Sequence, residues 1–284
     1  MPRTNLSADY ADYTDFCCLV WLSAPTGGPS KRLALGDPSL SSLAVESEST
    51  PYFWHEINLF QAFKKAGFEP RVFFDIGSSN SGWSFQMADI FPMARFHLFE
   101  PLVDQKDFYR ENTALILHER PDFRVHKVAI GNFDGKTKMG VDESGYGSSI
   151  LVTETNATFT KLIEVPMRKL DSLVVEQDLP RPEVLKIDVQ GGELGVLTGA
   201  AVSLDTVQLI QAEVWLMRRY GNGTPLCHEI TEYLSTKGFM LVAFGDFYYG
   251  DLHELYAADA FFARAELLSR CAPELPKSSL TGDR

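Results

Sequence analysis

Short strand-like runs alternate with helix-like segments over most of the chain, and this alternation restricts the possible folds more than any other feature. Strand-like runs lie at 71–77, 94–101, 124–131, 183–189 and 207–216. Segments with a helical composition or helical apolar spacing lie between them, for example at 83–91 and 102–115. This order predicts a parallel sheet with helices on both faces. Two final runs, 238–247 and 259–267, predict an antiparallel pair.

Other segments are less regular. The stretch "PYFWHEINLFQAFKKAG" predicts a helix that starts at Pro51 and stops at Gly67, with Phe53, Trp54 and Phe60 in the core. Residues 132–182 fit the alternation poorly. They contain a Gly/Ser-rich loop at 145–151 and then "LIEVPMRKLDSLV", which predicts an edge strand and a short helix.

The chain divides into three parts by composition. Residues 1–50 are rich in Ser, Pro and Gly without a sustained period, and they predict a loop-rich extension, either an ordered cap over a site or a loose arm. Residues 51–267 form the predicted catalytic domain, and 268–284 a tail. With 284 residues, of which 45% are hydrophobic, the chain can bury a sizeable core.

Charge and cysteine usage exclude several classes of protein. A net charge of -12 and no basic run argue against binding of nucleic acid. The apolar run "FCCLVWL" is too short to span a bilayer and follows three aspartates, so neither a membrane span nor a signal peptide is predicted. The four cysteines are Cys17, Cys18, Cys227 and Cys271. They form no CxxC pair, so free thiols and a cytoplasmic location are predicted.

The stretch "FFDIGSSNSGWS" (73–84) is the predicted turn between the first strand and the next helix. A Walker A loop is excluded because Trp83 follows the last glycine where lysine is required. A dinucleotide fingerprint needs a third glycine beside Gly77 and Gly82, so that interpretation is weak. An S-adenosylmethionine site expects an acid at the end of the first strand, where Asp75 lies. Glu100 ends the second strand, where a carboxylate can bind ribose hydroxyls.

A third motif, "VLKIDVQGGELGVLTGA" (184–200), places Lys186 and Asp188 near the end of a buried strand. Charges in a central strand are either paired or functional. With "HLFEP", "KVAIGN", "GSSIL" and "LDSL", these motifs resemble, over roughly residues 70–217, the FkbM-type S-adenosylmethionine-dependent methyltransferases. This chain departs from that pattern in Ser78 and Ser79, in the position of Gly82, and in Gln190, where the family usually has glutamate.

The resemblance implies a class I methyltransferase fold, a seven-stranded, mostly parallel sheet with a C-terminal antiparallel hairpin and helices on both faces. It also implies methylation of a hydroxyl of a sugar, glycan or polyketide-type natural product. The predicted cofactor-binding residues are Asp75, Gly77, Ser78, Ser79, Asn80, Gly82, Glu100, Pro101, Ala129 and Asp188.

The hydroxyl must lose its proton during methyl transfer, which requires a general base or a metal. The predicted catalytic residues are Asp188, Glu213 and His228. Asp188 and Glu213 are also candidate ligands of a divalent cation such as Mg²⁺, which needs only one or two carboxylates in addition to water and substrate.

Two alternatives stay open. One is an NAD(P)-dependent oxidoreductase on a similar sheet, and the other is a methyltransferase-like binding subunit without turnover. The predicted partner is a small-molecule or glycan acceptor, and the sequence does not indicate an oligomeric state.

Overall fold

The computed structural model describes residues 53–105, 107–142, 146–152 and 159–271. The predicted extension at 1–50, the predicted helix start at Pro51, Cys17, Cys18 and most of the predicted tail lie outside these residues. All statements below concern the described ranges.

Ten strands form two sheets. They are β1 Val72–Ile76, β2 Arg95–Phe99, β3 Arg124–His126, β4 Ala129–Ile130, β5 Gly135–Asp142, β6 Phe159–Arg168, β7 Val184–Ile187, β8 Leu209–Trp215, β9 Phe239–Tyr249 and β10 Leu255–Arg264. The main sheet has seven strands in the order β3-β2-β1-β7-β8-β10-β9. Its first five strands are parallel, and β10 is antiparallel to β8 and β9. The predicted fold class is therefore confirmed, including the closing hairpin.

Seven α-helices are present in the described ranges. They are α1 Trp54–Lys65, α2 Gly82–Ile90, α3 Asp107–Glu119, α4 Leu170–Glu176, α5 Glu193–Gly199, α6 Cys227–Thr236 and α7 Ala265–Cys271. The first helix ends just before Gly67 as predicted, but it begins at Trp54 and not at Pro51, because Phe53 has a φ of +60° and lies outside the helix. The helix predicted at 102–115 begins later, at Asp107, because residues 101–105 form turns.

The main sheet is covered by apolar residues on both faces. On one face the Phe60 ring of α1 contacts the rings of Phe73, Trp83 and Phe261, with centroids 5.8–6.3 Å apart. Phe60 is completely buried, and a buried phenylalanine contributes about 1.5–3 kcal/mol. On the other face a second cluster joins β-strand residues such as Ile187 to helices α5 and α6. The two layers hold the carboxyl ends of the strands in fixed positions.

The segment predicted as one strand at 124–131 consists of two strands in different sheets. β3 pairs with β2 in the main sheet, whereas β4 pairs with β6 in a second, three-stranded sheet of order β4-β6-β5. A tight turn, in which the Val128 N–H donates to the His126 carbonyl oxygen at 2.9 Å, separates them. The prediction of a single strand was wrong. β5 was not predicted, because its exposed, half-buried and buried residues do not alternate along the strand.

Candidate active site

Four carboxylates lie at one edge of the main sheet. Asp75 and Glu213 belong to β1 and β8, and Glu100 and Asp188 directly follow β2 and β7. These four strands are parallel neighbours, so their carboxyl ends share an edge. Three of the four side chains are buried and Asp188 is half-buried. Open α/β sheets bind their ligands at this edge.

The turn after β1 passes directly against the end of β7. Gly77 has a φ of +80°, and a Cβ added there would lie 1.9 Å from the carbonyl oxygen of Asp188. The Gly77 N–H also donates to the Phe99 carbonyl oxygen at 2.9 Å, which ties the turn to β2. Only glycine combines this backbone conformation with so close an approach. Gly77 therefore allows the chain to pass between the ends of β2 and β7.

The rest of the turn is held by its own polar groups. Ser79 and Ser81 have φ values of +50° and +64°, in the left-handed region that non-glycine residues rarely adopt. Asn80 Oδ1 accepts a hydrogen bond from the Gly82 N–H at 3.1 Å, and the Ser81 N–H donates to the Ser78 carbonyl oxygen at 2.6 Å. The turn therefore forms although its last glycine comes one residue later than in the family pattern. Strained backbone of this kind occurs often at functional sites.

Both carboxylate oxygens of Glu100 accept hydrogen bonds from the backbone. The Ser79 N–H donates to Oε2 at 3.0 Å and the Leu102 N–H donates to Oε1 at 2.8 Å. Burial raises the pKa of Glu100 to about 7, and these two hydrogen bonds act in the opposite direction. A carboxylate offers about four acceptor positions. Glu100 thus keeps acceptor capacity for the hydroxyls of a ligand.

Two buried polar atoms beside this turn have no hydrogen-bond partner in the part of the chain that the structure describes. They are Ser78 Oγ and Asp75 Oδ1, whereas the other oxygen of Asp75 accepts from Ser84 Oγ at 2.7 Å. Buried polar groups in native proteins nearly always have a partner. A ligand that carries hydrogen-bond donors would satisfy these two acceptors.

Lys186 lies between two of the carboxylates. Its Nζ is 3.3 Å from Asp188 Oδ2 and 3.5 Å from Asp75 Oδ1, and it donates to the Gly77 carbonyl oxygen at 3.1 Å. Burial alone would lower the pKa of Lys186, but the charges of Asp188 and then Asp75 outweigh it and raise that pKa. For Asp75 the effect of burial is the larger one, and it raises the pKa of Asp75 although the charge of Lys186 acts in the opposite direction. The shorter distance identifies Asp188 as the main partner of Lys186.

Asp188 and Glu213, both predicted to be catalytic, are joined by one side chain. The Gln190 amide nitrogen donates to Asp188 Oδ1 at 2.8 Å and to Glu213 Oε2 at 3.0 Å. Burial, followed by the charge of Asp188, raises the pKa of Glu213 well above its ordinary value. The structure therefore brings these two predicted residues together.

The predicted divalent cation gains no support from this arrangement. Amide hydrogens of Gln190 point at one oxygen of each carboxylate, where a bridging cation would compete with them. No group of three or more His, Cys, Asp or Glu side chains within the described ranges could hold a metal ion.

The remaining predicted residues lie at different distances from this group. Pro101 follows Glu100 in a turn, and Ala129 is buried in β4, where it pairs with Met167. His228 is exposed in the first turn of α6 and lines a cavity of about 600 Å³ with Trp215. Among the described contacts, no hydrogen bond joins His228 to the carboxylates at the sheet edge.

Tyr220 is a residue of the site that the sequence did not indicate. It lies in the connection between β8 and α6, and its hydroxyl donates to Gln190 Oε1 at 2.6 Å. The surrounding "RRYGNG" has no apolar period and no motif that would have pointed to it. Its role depends on a contact between residues 30 positions apart.

A family signature matches the part of the chain that forms this site. The methyltransferase FkbM domain matches residues 75–241, which is more than half of the chain and includes all four carboxylates. The chain belongs to the FkbM methyltransferase family. Membership in this family supports methylation that depends on S-adenosylmethionine. In the described ranges, none of the helices of this FkbM-family methyltransferase is both long and apolar enough to cross a membrane.

Several solved structures resemble the chain at low sequence identity. The methyltransferase FkbM from Methylobacillus flagellatus is 13% identical over 68% of this chain, with a TM-score of 0.46. This chain spans 44% of that protein. Sp1610 from Streptococcus pneumoniae, solved in complex with S-adenosyl-L-methionine, is 12% identical over 74% of this chain and 72% of its own, with a TM-score of 0.38. An O-methyltransferase family protein from Burkholderia thailandensis is 7% identical over 74% of this chain and 55% of its own, with a TM-score of 0.39. Among proteins of curated function, none matches the sequence.

Proposed function

We propose that the protein is an S-adenosylmethionine-dependent O-methyltransferase that acts on a hydroxyl of a sugar, glycan or polyketide-type natural product. The proposal rests on the position and exposure of the Asp188 carboxylate. This carboxylate is 35% exposed, and it is held by Lys186 and Gln190 at the same sheet edge as Glu100 and the turn after β1. A half-exposed carboxylate at this position can accept a proton from an alcohol.

The residues at the turn fit S-adenosylmethionine. This cofactor carries two ribose hydroxyls and an ammonium group, all of which donate hydrogen bonds. The oxygen atoms at the turn still have unused positions at which they can accept hydrogen bonds. Glu100 would bind the ribose hydroxyls, and Asp75 Oδ1 and Ser78 Oγ would accept from other donors of the cofactor. When bound, the cofactor supplies a methyl group on a sulfonium, which is already activated for displacement. The protein therefore mainly has to align the acceptor and remove its proton.

Asp188 serves as the general base in this proposal. The Lys186 Nζ lies 3.3 Å from its Oδ2 and holds that oxygen in place through an ion pair. Burial, followed by the charge of Asp188, raises the pKa of Glu213 well above its ordinary value, which favours the protonated form of Glu213. Asp188 is also the more exposed of the two acids, so it is the one that an acceptor hydroxyl can reach. The chain carries a net charge of -12, which favours a neutral or cationic acceptor over nucleic acid.

The test is methyl transfer from labelled S-adenosylmethionine to a panel of sugars, glycans and polyketide alcohols, each compared with an analogue that carries an amine. Product with the alcohols, lost in both Glu100→Ala and Asp188→Asn, supports the proposal. Product with the amines alone would refute the hydroxyl assignment. Binding of the cofactor without product from any acceptor would favour a binding subunit, and binding of NAD(H) in its place would favour an oxidoreductase. The cytoplasmic location remains a prediction from the unpaired cysteines.

A further inference from the structure

The side chain of Gln190 connects the base to a second acid on the neighbouring strand. Its amide nitrogen lies 2.8 Å from Asp188 Oδ1 and 3.0 Å from Glu213 Oε2. An amide nitrogen carries two hydrogens, so both are used by these two carboxyl groups. Gln190 thereby bridges the two carboxyl groups and sets how far apart they lie.

The orientation of this amide is determined at its opposite end. The Tyr220 hydroxyl donates to Gln190 Oε1 at 2.6 Å. A half-turn of the amide would direct Oε1 at Asp188 Oδ1, so that two acceptor oxygens would face each other in place of a hydrogen bond. The hydrogen-bond network therefore allows one orientation of the amide. Tyr220 stabilises that orientation from a loop that lies outside β7 and β8.

The backbone of Gln190 is held as firmly as its side chain. Its φ is +56°, which non-glycine residues rarely adopt, and the Ser149 hydroxyl donates to its carbonyl oxygen at 2.6 Å. Gly191 follows with a φ of +95°, and a Cβ added there would lie 3.0 Å from the Leu151 side chain and 3.4 Å from Tyr220. Two other chain segments, that of Ser149 and Leu151 and that of Tyr220, thus pack against Gln190 and Gly191. Strain that the surroundings maintain in this way occurs often at functional sites.

Asp188 is fixed at both of its oxygens. Lys186 approaches Oδ2 at 3.3 Å, and Gln190 donates to Oδ1 at 2.8 Å. A carboxylate bound at both oxygens cannot rotate freely, yet it retains unused acceptor positions for a proton. Placement of a base within a fraction of an ångström contributes strongly to catalysis.

We propose that Gln190 and Tyr220 are positioning residues that hold Asp188 in the orientation in which it accepts the proton of the acceptor hydroxyl. This inference rests on the proposed function, because it requires Asp188 to act as the base. Gln190 acts through Asp188, and Tyr220 acts through Gln190. The order of contacts predicts that the effects of changing the two residues are not independent.

The experiment compares Gln190→Met, Tyr220→Phe and the double variant by steady-state kinetics with a hydroxyl acceptor. Removal of hydrogen bonds to a charged group should lower kcat about 10- to 100-fold in Gln190→Met. Tyr220→Phe should lower kcat about 5-fold, and the double variant should be no slower than Gln190→Met alone. Tyr233→Phe is the matched control, because its hydroxyl donates to the Leu197 carbonyl oxygen at 3.2 Å, away from the carboxylates. It should keep the wild-type kcat.

Binding provides the second readout. The KM for S-adenosylmethionine, and the affinity for S-adenosylhomocysteine measured by calorimetry, should stay within about twofold of wild type in every variant, because the positioning residues act in the reaction and not in cofactor binding. Three results would overturn this inference but leave the proposed function intact. They are a wild-type kcat in Gln190→Met, additive losses of kcat in the double variant, and a loss of cofactor affinity as large as the loss of kcat. A wild-type enzyme that gives no product with any hydroxyl acceptor would overturn the proposed function together with this inference.

Discussion

Gly77 offers the sharpest test of how the turn after β1 is built. We predict that Gly77→Ala destabilises the protein and abolishes binding of S-adenosylhomocysteine. The methyl group would lie 1.9 Å from the carbonyl oxygen of Asp188 and 2.8 Å from its carbonyl carbon. Both atoms belong to backbone that Lys186 and Gln190 hold through the Asp188 side chain. A rotamer change therefore cannot relieve the contact.

The magnitude follows from two contributions. A φ of +80° costs a residue with a Cβ about 1–2 kcal/mol. Forcing extra volume into packed surroundings costs about 1–3 kcal/mol more, since the contact is far shorter than the optimum of about 3.5 Å. We therefore expect a loss of about 2–5 kcal/mol in the free energy of unfolding.

Gly67→Ala is the matched control. Gly67 has a φ of +91°, and a Cβ there would meet none of the described atoms within 4 Å. In both variants alanine has to adopt a positive φ, and both lose the same conformational entropy in the unfolded chain. The difference between them in urea unfolding, followed by circular dichroism, isolates the contact with Asp188. Equal destabilisation of the two variants would refute the reasoning, as would calorimetry that shows wild-type cofactor affinity in Gly77→Ala.

Four further predictions concern other parts of the molecule. In thermal unfolding, S-adenosylhomocysteine at about 100 times its dissociation constant should add about 2.7 kcal/mol to wild-type stability but nothing to Glu100→Ala, and an equal shift in both would exclude Glu100 from the site. Burial, then the charge of Asp259, raises the pKa of Glu56 to about 8, so its contribution to stability is fully present below about pH 4 and is lost as the pH rises through 8. In urea unfolding, the free energy of unfolding of Glu56→Gln relative to wild type should be higher at pH 9 than at pH 5. The same relative stability at both pH values would contradict the raised pKa of Glu56. Phe60→Ala should lose about 3–5 kcal/mol in urea unfolding because a completely buried ring is removed, whereas a loss below about 1 kcal/mol would show that the core refills the space. Dialysis against EDTA should leave the rate of methyl transfer within about twofold of the untreated enzyme, because Gln190 occupies the positions that a cation would need. Activity that is lost on dialysis and restored only by Mg²⁺ would show that a metal is required.

Much of the main sheet could be predicted because burial leaves a periodic mark on the sequence. β1, β2, β7 and β8 are short apolar runs, and each is bounded by turn residues or by a charged residue. The hydrophobic pattern does not identify a strand whose exposed and buried side chains follow no regular order. β5 has exposed and buried residues along its length, and the boundary between β3 and β4 contains no glycine or proline to mark it.

The candidate site was predictable to the extent that it depends on strand ends. Asp75, Glu100 and Asp188 each end a predicted strand, and parallel strands bring their carboxyl ends to one edge. His228 was selected by its place in a loop-to-helix segment, but the structure leaves it exposed beside a cavity. A position near a strand end does not specify which way a side chain on the next helix points.

The sequence by itself determined the fold class, the family and the acids at the sheet edge, because these follow from local periodicity and from motifs of a few residues. Only the tertiary structure showed that Gln190 joins Asp188 to Glu213 and that Tyr220 holds the amide in place. The contacts of Gln190 with Glu213 and Tyr220 connect separate segments, 23 and 30 positions apart. Hydrogen bonds form over about 3 Å, so they depend on how the strands and loops pack together, and no local pattern in the sequence records that distance.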